Sequence, residues 1–330
     1  MRSPFTGKEM TINVETYAAT FRKETFDVYF HTYFCEDTNR KFEDEIFADL
    51  NSNQLYNQYR TKYSIPFPSE IKAIREQYGV SAAMMSNILG FGANMYANYE
   101  SGEVPSLSNA NLIDLAKNPQ DFEKLVNKSG IKVSEKKKIL CQIEKVVLEL
   151  ASKQKLFEKL EFSTKPTIFN GCNLPKIEKL NELISFFAAN LQPYKTALNK
   201  FLFYTDFLHF RETGFSVTGL RYQAYTYGMV PVNYEGIFRE IENIDPNLEI
   251  IRTLNVEGTG INEKFTTKLS PKTDLFSAQE LVIMNKVVAK FETMTIPQIV
   301  NFNHLEKLWL ENEKGKKVVS YQAAFELNPF

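Results

Sequence analysis

The chain has 330 residues, 43% hydrophobic and 24% charged, with 39 basic against 40 acidic residues and a formal net charge of −1. This is the composition of an ordinary globular protein that buries a sizeable core. It excludes a disordered chain and a polycation that coats nucleic acid by charge alone, and no run of about 18 apolar residues is present to span a membrane. The length suggests two or three domains. Cys35, Cys141 and Cys172 are odd in number and widely spaced, so they build neither a disulfide framework nor a four-cysteine zinc site, and a reducing cytoplasm is expected. Arg2 to Val14 has no apolar core segment, so no signal peptide is expected.

Residues 1–65 are expected to form a first unit. Met10–Tyr17 and Thr25–Phe34 alternate as two antiparallel strands, and Lys41–Tyr59 is expected as a helix with Phe42, Ile46, Leu50 and Leu55 inward. The opening Ser3-Pro4-Phe5-Thr6-Gly7 resembles the start of a zinc finger of the YgiT or MqsA type. That family has Cys-Pro-x-Cys-Gly there and a second Cys-x-x-Cys after a strand. Ser3 and Thr6 stand at the first pair, Cys35 and Thr38 at the second. Structural zinc needs four sulfur or nitrogen ligands; one thiolate remains, with His31 the only nearby substitute. The expectation is a zinc-ribbon-like fold without metal, in which serine and threonine hydrogen-bond across the site.

Pro66-Phe67-Pro68 is a stiff connector into residues 66–130. Ser69 is a candidate N-cap for a helix ending at Gly79; Ser81 caps Ala82–Leu89, which stops at Gly90; Gly92–Gly102 carries a third helix. Short helices with glycine turns, and Tyr99-Glu100-Ser101-Gly102 ahead of proline, resemble the Cro/repressor helix-turn-helix. MqsA-type antitoxins have the same order of modules. Ile71, Ile74, Met84, Ile88, Leu89, Tyr99, Leu107, Leu112 and Leu115 are the expected core. Ala93–Ser101 is the expected recognition helix, with Asn94, Met95, Asn98 and Ser81 as candidate DNA contacts. Asn94 and Asn98, four apart, share a face, and asparagine can bond adenine bidentately; both could equally be merely solvated. By the resemblance, Asn94 matches an operator-contacting asparagine, whereas Asn98 stands where that family often has arginine. Residues 69–102 hold Lys72 and Arg75 against Glu70, Glu76 and Glu100, so any operator contact is expected to be weak, or dimer-dependent, since specific DNA binders present a basic face.

Residues 131–176 are expected as a basic helical connector. Across 117–160 the chain has 11 lysines against 6 acidic residues. Ser134–Leu160 is a long amphipathic helix, apolar at Ile139, Ile143, Val146, Val147, Leu150 and Leu156. It is either a solvated face over a packing stripe or a connector flanking DNA phosphates. Glu161–Asn173, with Pro166 and Gly171, has the composition of a linker.

Residues 177–330 form the last expected domain. Leu198, Phe201, Leu202 and Leu208 share one helical face, and Phe203, Tyr204, Phe207 and Phe210 fill much of the rest. A helix apolar on nearly every side is a central, buried one, here ending at Gly214. Val217–Tyr225 is expected to be extended and Gly228-Met229-Val230-Pro231 to close it as a turn. A helix bearing Asp206 and His209, then Thr213-Gly214, Thr218-Gly219-Leu220, an aromatic strand and the Gly-x-Val-Pro turn, resembles the Panacea (SocA-like) domain. The resemblance continues through Ser277-Ala278-Gln279-Glu280, His304, Trp309 and Val319-Ser320-Tyr321, and covers roughly residues 177–328. It implies an antitoxin domain that binds its toxin, different members meeting unrelated toxins.

Asp206 and His209 are three apart, a spacing that acid–base catalysis can use. No nucleophile or ligand set accompanies them, and a structural hydrogen bond is the expectation; His304 and Trp309 are also expected to be structural. Gly258-Thr259-Gly260 is too short for a phosphate loop and is expected at a hairpin or loop tip. Tyr222, Tyr225, Tyr227 and Lys200 are the candidate toxin contacts, with the alternative that the tyrosines pack inward.

The expected fold is α+β, mainly α: a small zinc-ribbon-like β unit, a Cro/repressor-type helix-turn-helix bundle, and a helical Panacea domain with a small sheet. The expected function is that of a type II antitoxin, with no enzyme activity, cofactor or metal. Its expected partners are a cognate protein toxin, operator DNA and a second copy of the chain in a homodimer, with no membrane. The competing readings are a stand-alone transcriptional regulator and an adaptor that delivers a partner to a protease.

Overall fold

The computed structural model describes residues 1–254, 260–328 and 330. The chain is α+β and mainly helical, with three small antiparallel sheets among the described residues. It divides into two compact units, Met1–Gln154 and Lys155–Phe330. Of the expected loop tip Gly258-Thr259-Gly260, the first two residues lie outside the described ones.

The first unit opens with a long hairpin, β1 (Thr11–Phe21) and β2 (Glu24–Cys35), with Thr11 opposite Phe34 and Phe21 opposite Glu24. The turn residues Arg22 and Lys23 both have positive φ, 48° and 70°, as a two-residue hairpin turn requires. A short β3 (Arg40–Phe42) pairs with the last residues of β2, giving the order β1-β2-β3. The helix expected over Lys41–Tyr59 begins later and runs further, as α1 (Glu45–Tyr63), because Phe42 belongs to β3 and Asp44 accepts the Phe47 N–H as N-cap. Its inward residues are Phe47 and Leu50, whereas Ile46 is exposed.

Three amides of α1 face the backbone of β2. Asn51 exchanges two hydrogen bonds with His31 at 2.8 and 3.0 Å, and Gln54 two with Tyr29 at 2.9 and 2.8 Å. Gln58 donates to the Asp27 carbonyl. Residues at 51, 54 and 58 lie on one helical face, so α1 satisfies the strand edge that β3 leaves uncovered.

The helical part of this unit comprises α2 (Pro68–Gln77), α3 (Ala82–Leu89), α4 (Met95–Glu100), α5 (Leu107–Leu115), α6 (Pro119–Lys128) and most of α7 (Val133–Lys159), in which the division between the units falls. Ser81 caps α3 and Gly90 ends it at φ 73°. The cap of α2 is Phe67, whose N–H reaches the Glu70 carboxylate, so Ser69 lies inside the helix. Ile71, Ile74, Met85, Tyr96, Ile113, Phe122, Ile139 and Ile143 lie in one buried cluster. Leu107, Leu115 and Val147, expected inside, are exposed. In α5, Ala110 and Ile113, with the C-cap Ala116, face inward instead, one helical stripe displaced from the larger leucines.

The second unit is built around α9 (Lys195–Thr213), buried at every residue from Ala197 to Phe210 and closed by Gly214 at φ 78°. Against it pack α8 (Ile177–Leu191), the hairpin β4 (Tyr222–Tyr225) with β5 (Gly228–Pro231), α11 (Ala278–Phe291) and α12 (Ile296–His304). The Gly-x-Val-Pro segment is thus a strand rather than a turn. A further helix α10 (Tyr234–Ile244), the hairpin of β6 (Leu248–Leu254) and β7 (Ile261–Thr267), and α13 (Lys307–Asn312) complete the unit. Residues 161–173, expected as a linker, are packed into it. Ile168 accepts the Tyr321 N–H, Asn170 accepts the Ser216 hydroxyl and Gly171 the Ser216 N–H, and Asn170 and Cys172 are buried.

Candidate functional site

In the first unit the four positions that resemble zinc ligands do converge. The Ser3 hydroxyl lies 3.2 Å from the Cys35 sulfur and that of Thr6 3.9 Å from it. The Ser3 hydroxyl beside it is the first cause that pulls the Cys35 thiol down to about 7. The turn through Gly7 is closed by its N–H to the Ser3 carbonyl. One sulfur and three hydroxyls are not a zinc donor set, and among the described residues no group of three His, Cys, Asp or Glu is placed to hold a metal ion.

Asn94, Asn98 and Ser81 are exposed and Met95 is half-buried. Asn94 is the N-cap of the short α4 and its carbonyl accepts the Asn98 N–H at 3.0 Å, which sets the two side chains one turn apart. Charge beside them is largely self-compensated. Arg75 is bound to Glu100 at 2.5 Å, and Lys72 lies 3.8 Å from Glu76. This surface offers two asparagines but little positive potential to draw phosphates.

In the second unit Asp206 sits on α9 with no exposed surface. One carboxylate oxygen accepts the N–H groups of Val217 and Thr218 at 2.9 and 2.8 Å; the other accepts the hydroxyls of Thr218 and Tyr222. The Tyr321 hydroxyl lies 3.3 Å away but gives its proton to the Leu220 carbonyl at 2.7 Å. Burial raises Asp206 to about 6 against the pull of these donors. The loop after α9 is therefore wound onto a buried carboxylate. Gly219 makes this possible: at φ 74° a Cβ there would stand 2.6 Å from the backbone of Leu174. His209 is turned elsewhere, its Nδ1 2.7 Å from the Phe215 carbonyl. The two residues thus hold different ends of one loop, and their spacing assembles no catalytic pair.

A second set of residues holds the β4–β5 hairpin. Asn303 accepts the Met229 N–H at 2.7 Å, and Trp309 Nε1 donates to the Tyr225 carbonyl at 2.9 Å. The His304 and Trp309 rings stack with centroids 3.7 Å apart. Asn303 also donates to the Tyr204 hydroxyl, which donates to Glu306. At Gly228, φ 101°, a Cβ would meet Asn303 at 2.3 Å, so the strand fits only with glycine. The scattered sequence features Asp206, Thr218, Gly228, His304, Trp309 and Tyr321 are thus parts of one framework.

The candidate contact residues separate. Tyr222 is fully buried, its hydroxyl on Asp206. Residues 222 and 225, three apart in a strand, point to opposite faces, so Tyr225 is half-exposed while Tyr222 is core. Tyr227, at the tip of the hairpin, is 67% exposed, and Lys316 lies 4.6 Å over the Tyr225 ring. Lys200 cannot meet a partner either. It is fully buried on α9, its ammonium has no hydrogen-bond partner, and burial pulls it down to about 7. The buried stretch of α9 that the sequence shows clearly was sufficient to exclude Lys200 from the surface. Asn303, by contrast, carries no signal in sequence.

Residues 198–310, about a third of the chain, match the family described as antitoxin SocA-like, Panacea domain. This segment contains α9 from Leu198 onward, the clamped hairpin and the His304–Trp309 stack. No curated protein and no solved structure matches the chain. Among the described residues no helix is long and apolar enough to cross a membrane.

Proposed function

We propose that this protein is a type II antitoxin that neutralises its toxin by direct contact through the C-terminal unit, without chemistry on the toxin. The Panacea match of residues 198–310 carries this reading. The geometry adds a reason for the choice of surface. The framework residues of that segment are consumed in fixing the β4–β5 hairpin, which leaves Tyr225 and Tyr227 displayed on a rigid support. Tyrosine suits such a surface, combining apolar area with a hydroxyl. A rigid core with a variable rim is what a domain meeting unlike toxins needs.

The test is the fragment Lys155–Phe330, the whole compact unit, co-expressed with a toxic product of an adjacent gene. It is expected to bind that product and restore growth. Tyr227→Ala is expected to weaken binding by roughly 2 kcal/mol, about thirtyfold, as for a central interface aromatic. If the fragment folds but neither binds nor rescues while residues 1–154 do both, the roles of the two units are reversed.

We further propose that the first unit is the MqsA-like half of the antitoxin, a helix-turn-helix behind a metal-free ribbon, and that Asn94 and Asn98 touch the operator with Ser81 and Met95 beside them. The exposure of both asparagines on one turn supports this, and the compensated charge around them supports weak, dimer-dependent binding. Alanine at either position is expected to weaken operator binding by about 1–3 kcal/mol at fixed salt, with neutralisation in cells unchanged. Equal binding by the double variant would remove them from the interface.

A further inference from the structure

The first unit leaves one strand edge open. At the pairs Val14–His31, Thr16–Tyr29 and Ala18–Asp27, the β2 backbone groups turn away from β1 and are taken up by the amides of α1. In an antiparallel ladder the β1 residues of those same pairs must turn their own N–H and C=O groups outward, to the opposite side. Among the described residues nothing pairs with that side: β1 is the terminal strand of its sheet, and most of its residues are exposed.

Eleven residues of open edge are a liability that folded proteins ordinarily blunt with lysine, proline, a bulge or a covering element. None of these devices is present in Thr11–Phe21. It contains no proline or glycine, and its one charge, Glu15, is bound to Lys41 at 2.6 Å. Its exposed side chains include Ile12, Val14 and Tyr17, at 63%, 45% and 56%. The neighbouring edge of β2, by comparison, is covered by α1.

We propose that β1 pairs antiparallel with β1 of a second copy of this chain, joining the two three-stranded sheets into one. The strand is complementary to itself in a single full-length register centred on Thr16. Val14 then meets Ala18 of the second copy, Ile12 meets Thr20, and Thr11 meets Phe21. The outward-facing residues pair with one another, so their N–H and C=O groups satisfy each other. Glu15 meets Tyr17, whereas centring on Glu15 would set two carboxylates directly opposite, which is destabilising. The same Thr16 register brings Lys23 of the hairpin turn to the level of Glu9 of the second copy, twice by symmetry. Both residues are exposed. This pairing does not depend on the antitoxin reading.

The full chain carrying Cys141→Ser, which removes the exposed thiol, is the reference for sedimentation velocity. A dimer is expected. Thr16→Pro removes one outward N–H and none directed at β2, and is expected to give a monomer. Val14→Lys, which puts a charge on the edge and leaves every N–H in place, is the second variant and is expected to do the same. Thr16→Cys is expected to form an interchain disulfide on mild oxidation, since facing residues of a hydrogen-bonded pair lie about 5.5 Å apart, within the range a disulfide spans. Three results would overturn the proposal: a monomeric reference chain, a dimer that survives both Thr16→Pro and Val14→Lys, or amides of Val14, Thr16 and Ala18 that resist exchange only when a different protein is added.

Discussion

Asp206→Ala is expected to unfold the C-terminal unit or bring it close to unfolding, with a loss on the order of 4 kcal/mol. The variant would strand the N–H groups of Val217 and Thr218 and the hydroxyls of Thr218 and Tyr222 in a region without solvent. Each buried donor left without an acceptor costs about 1–3 kcal/mol, and the cavity left by the carboxylate adds to that. Asp206→Asn should also be damaging despite its matched shape, because its amide nitrogen is a donor facing donors. The chain has a single tryptophan, Trp309, in the second unit. Its fluorescence in a urea titration therefore reports this unit alone, which avoids treating two units as one transition. A loss below about 1 kcal/mol would show that the loop is held by its apolar packing and not by the carboxylate.

Lys200→Met is expected to have the opposite sign. An ammonium buried without a partner is destabilising in the folded state, and the burial that pulls Lys200 from 10.5 to about 7 measures that cost. Between these two values the unfolded chain holds a proton that the folded chain does not. Stability of the natural protein should therefore rise as the pH climbs from about 7 towards 10.5, with the full penalty present below about 7. Methionine keeps the unbranched stem and removes the amine. At pH 7 the expected gain is on the order of 3 kcal/mol, shrinking as the pH approaches 10.5. Trp309 fluorescence again supplies the readout. A gain of equal size at pH 7 and pH 10 would mean that packing, not desolvation of the ammonium, is responsible. A loss would mean that the amine has a stabilising partner.

Several elements are legible locally. α9 is apolar on all sides and ends at a glycine, so its central place follows from composition and period alone. The Ser81 cap and the Gly90 stop of α3 follow from hydrogen-bond chemistry within a few residues. Alternation in the N-terminal strands shows the hairpin, and the four positions resembling a zinc finger come together around Cys35 because strand and turn bring them there.

Tertiary structure decided whatever depends on what lies opposite. Period gives a helix its stripe but not the direction in which the stripe faces: Ile46 and Val147 are exposed because no described element covers them, and Leu107 and Leu115 because α5 turns Ala110 and Ile113 inward. The polar, turn-rich stretch 161–173 has a linker's composition, but its backbone groups satisfy Ser216 and Tyr321, far along the chain. Asp206 and His209 share a spacing that suggests a pair, yet each is claimed by a different part of the loop that follows them. The sequence by itself determined the central helix, its glycine stop and the ordered motifs of the C-terminal unit, because those are set by neighbours within one or two turns. Only the folded chain decided that Tyr222 is buried and Tyr227 exposed, and that β2 is covered while β1 is open, since burial and edge satisfaction are properties of pairs of elements distant in sequence.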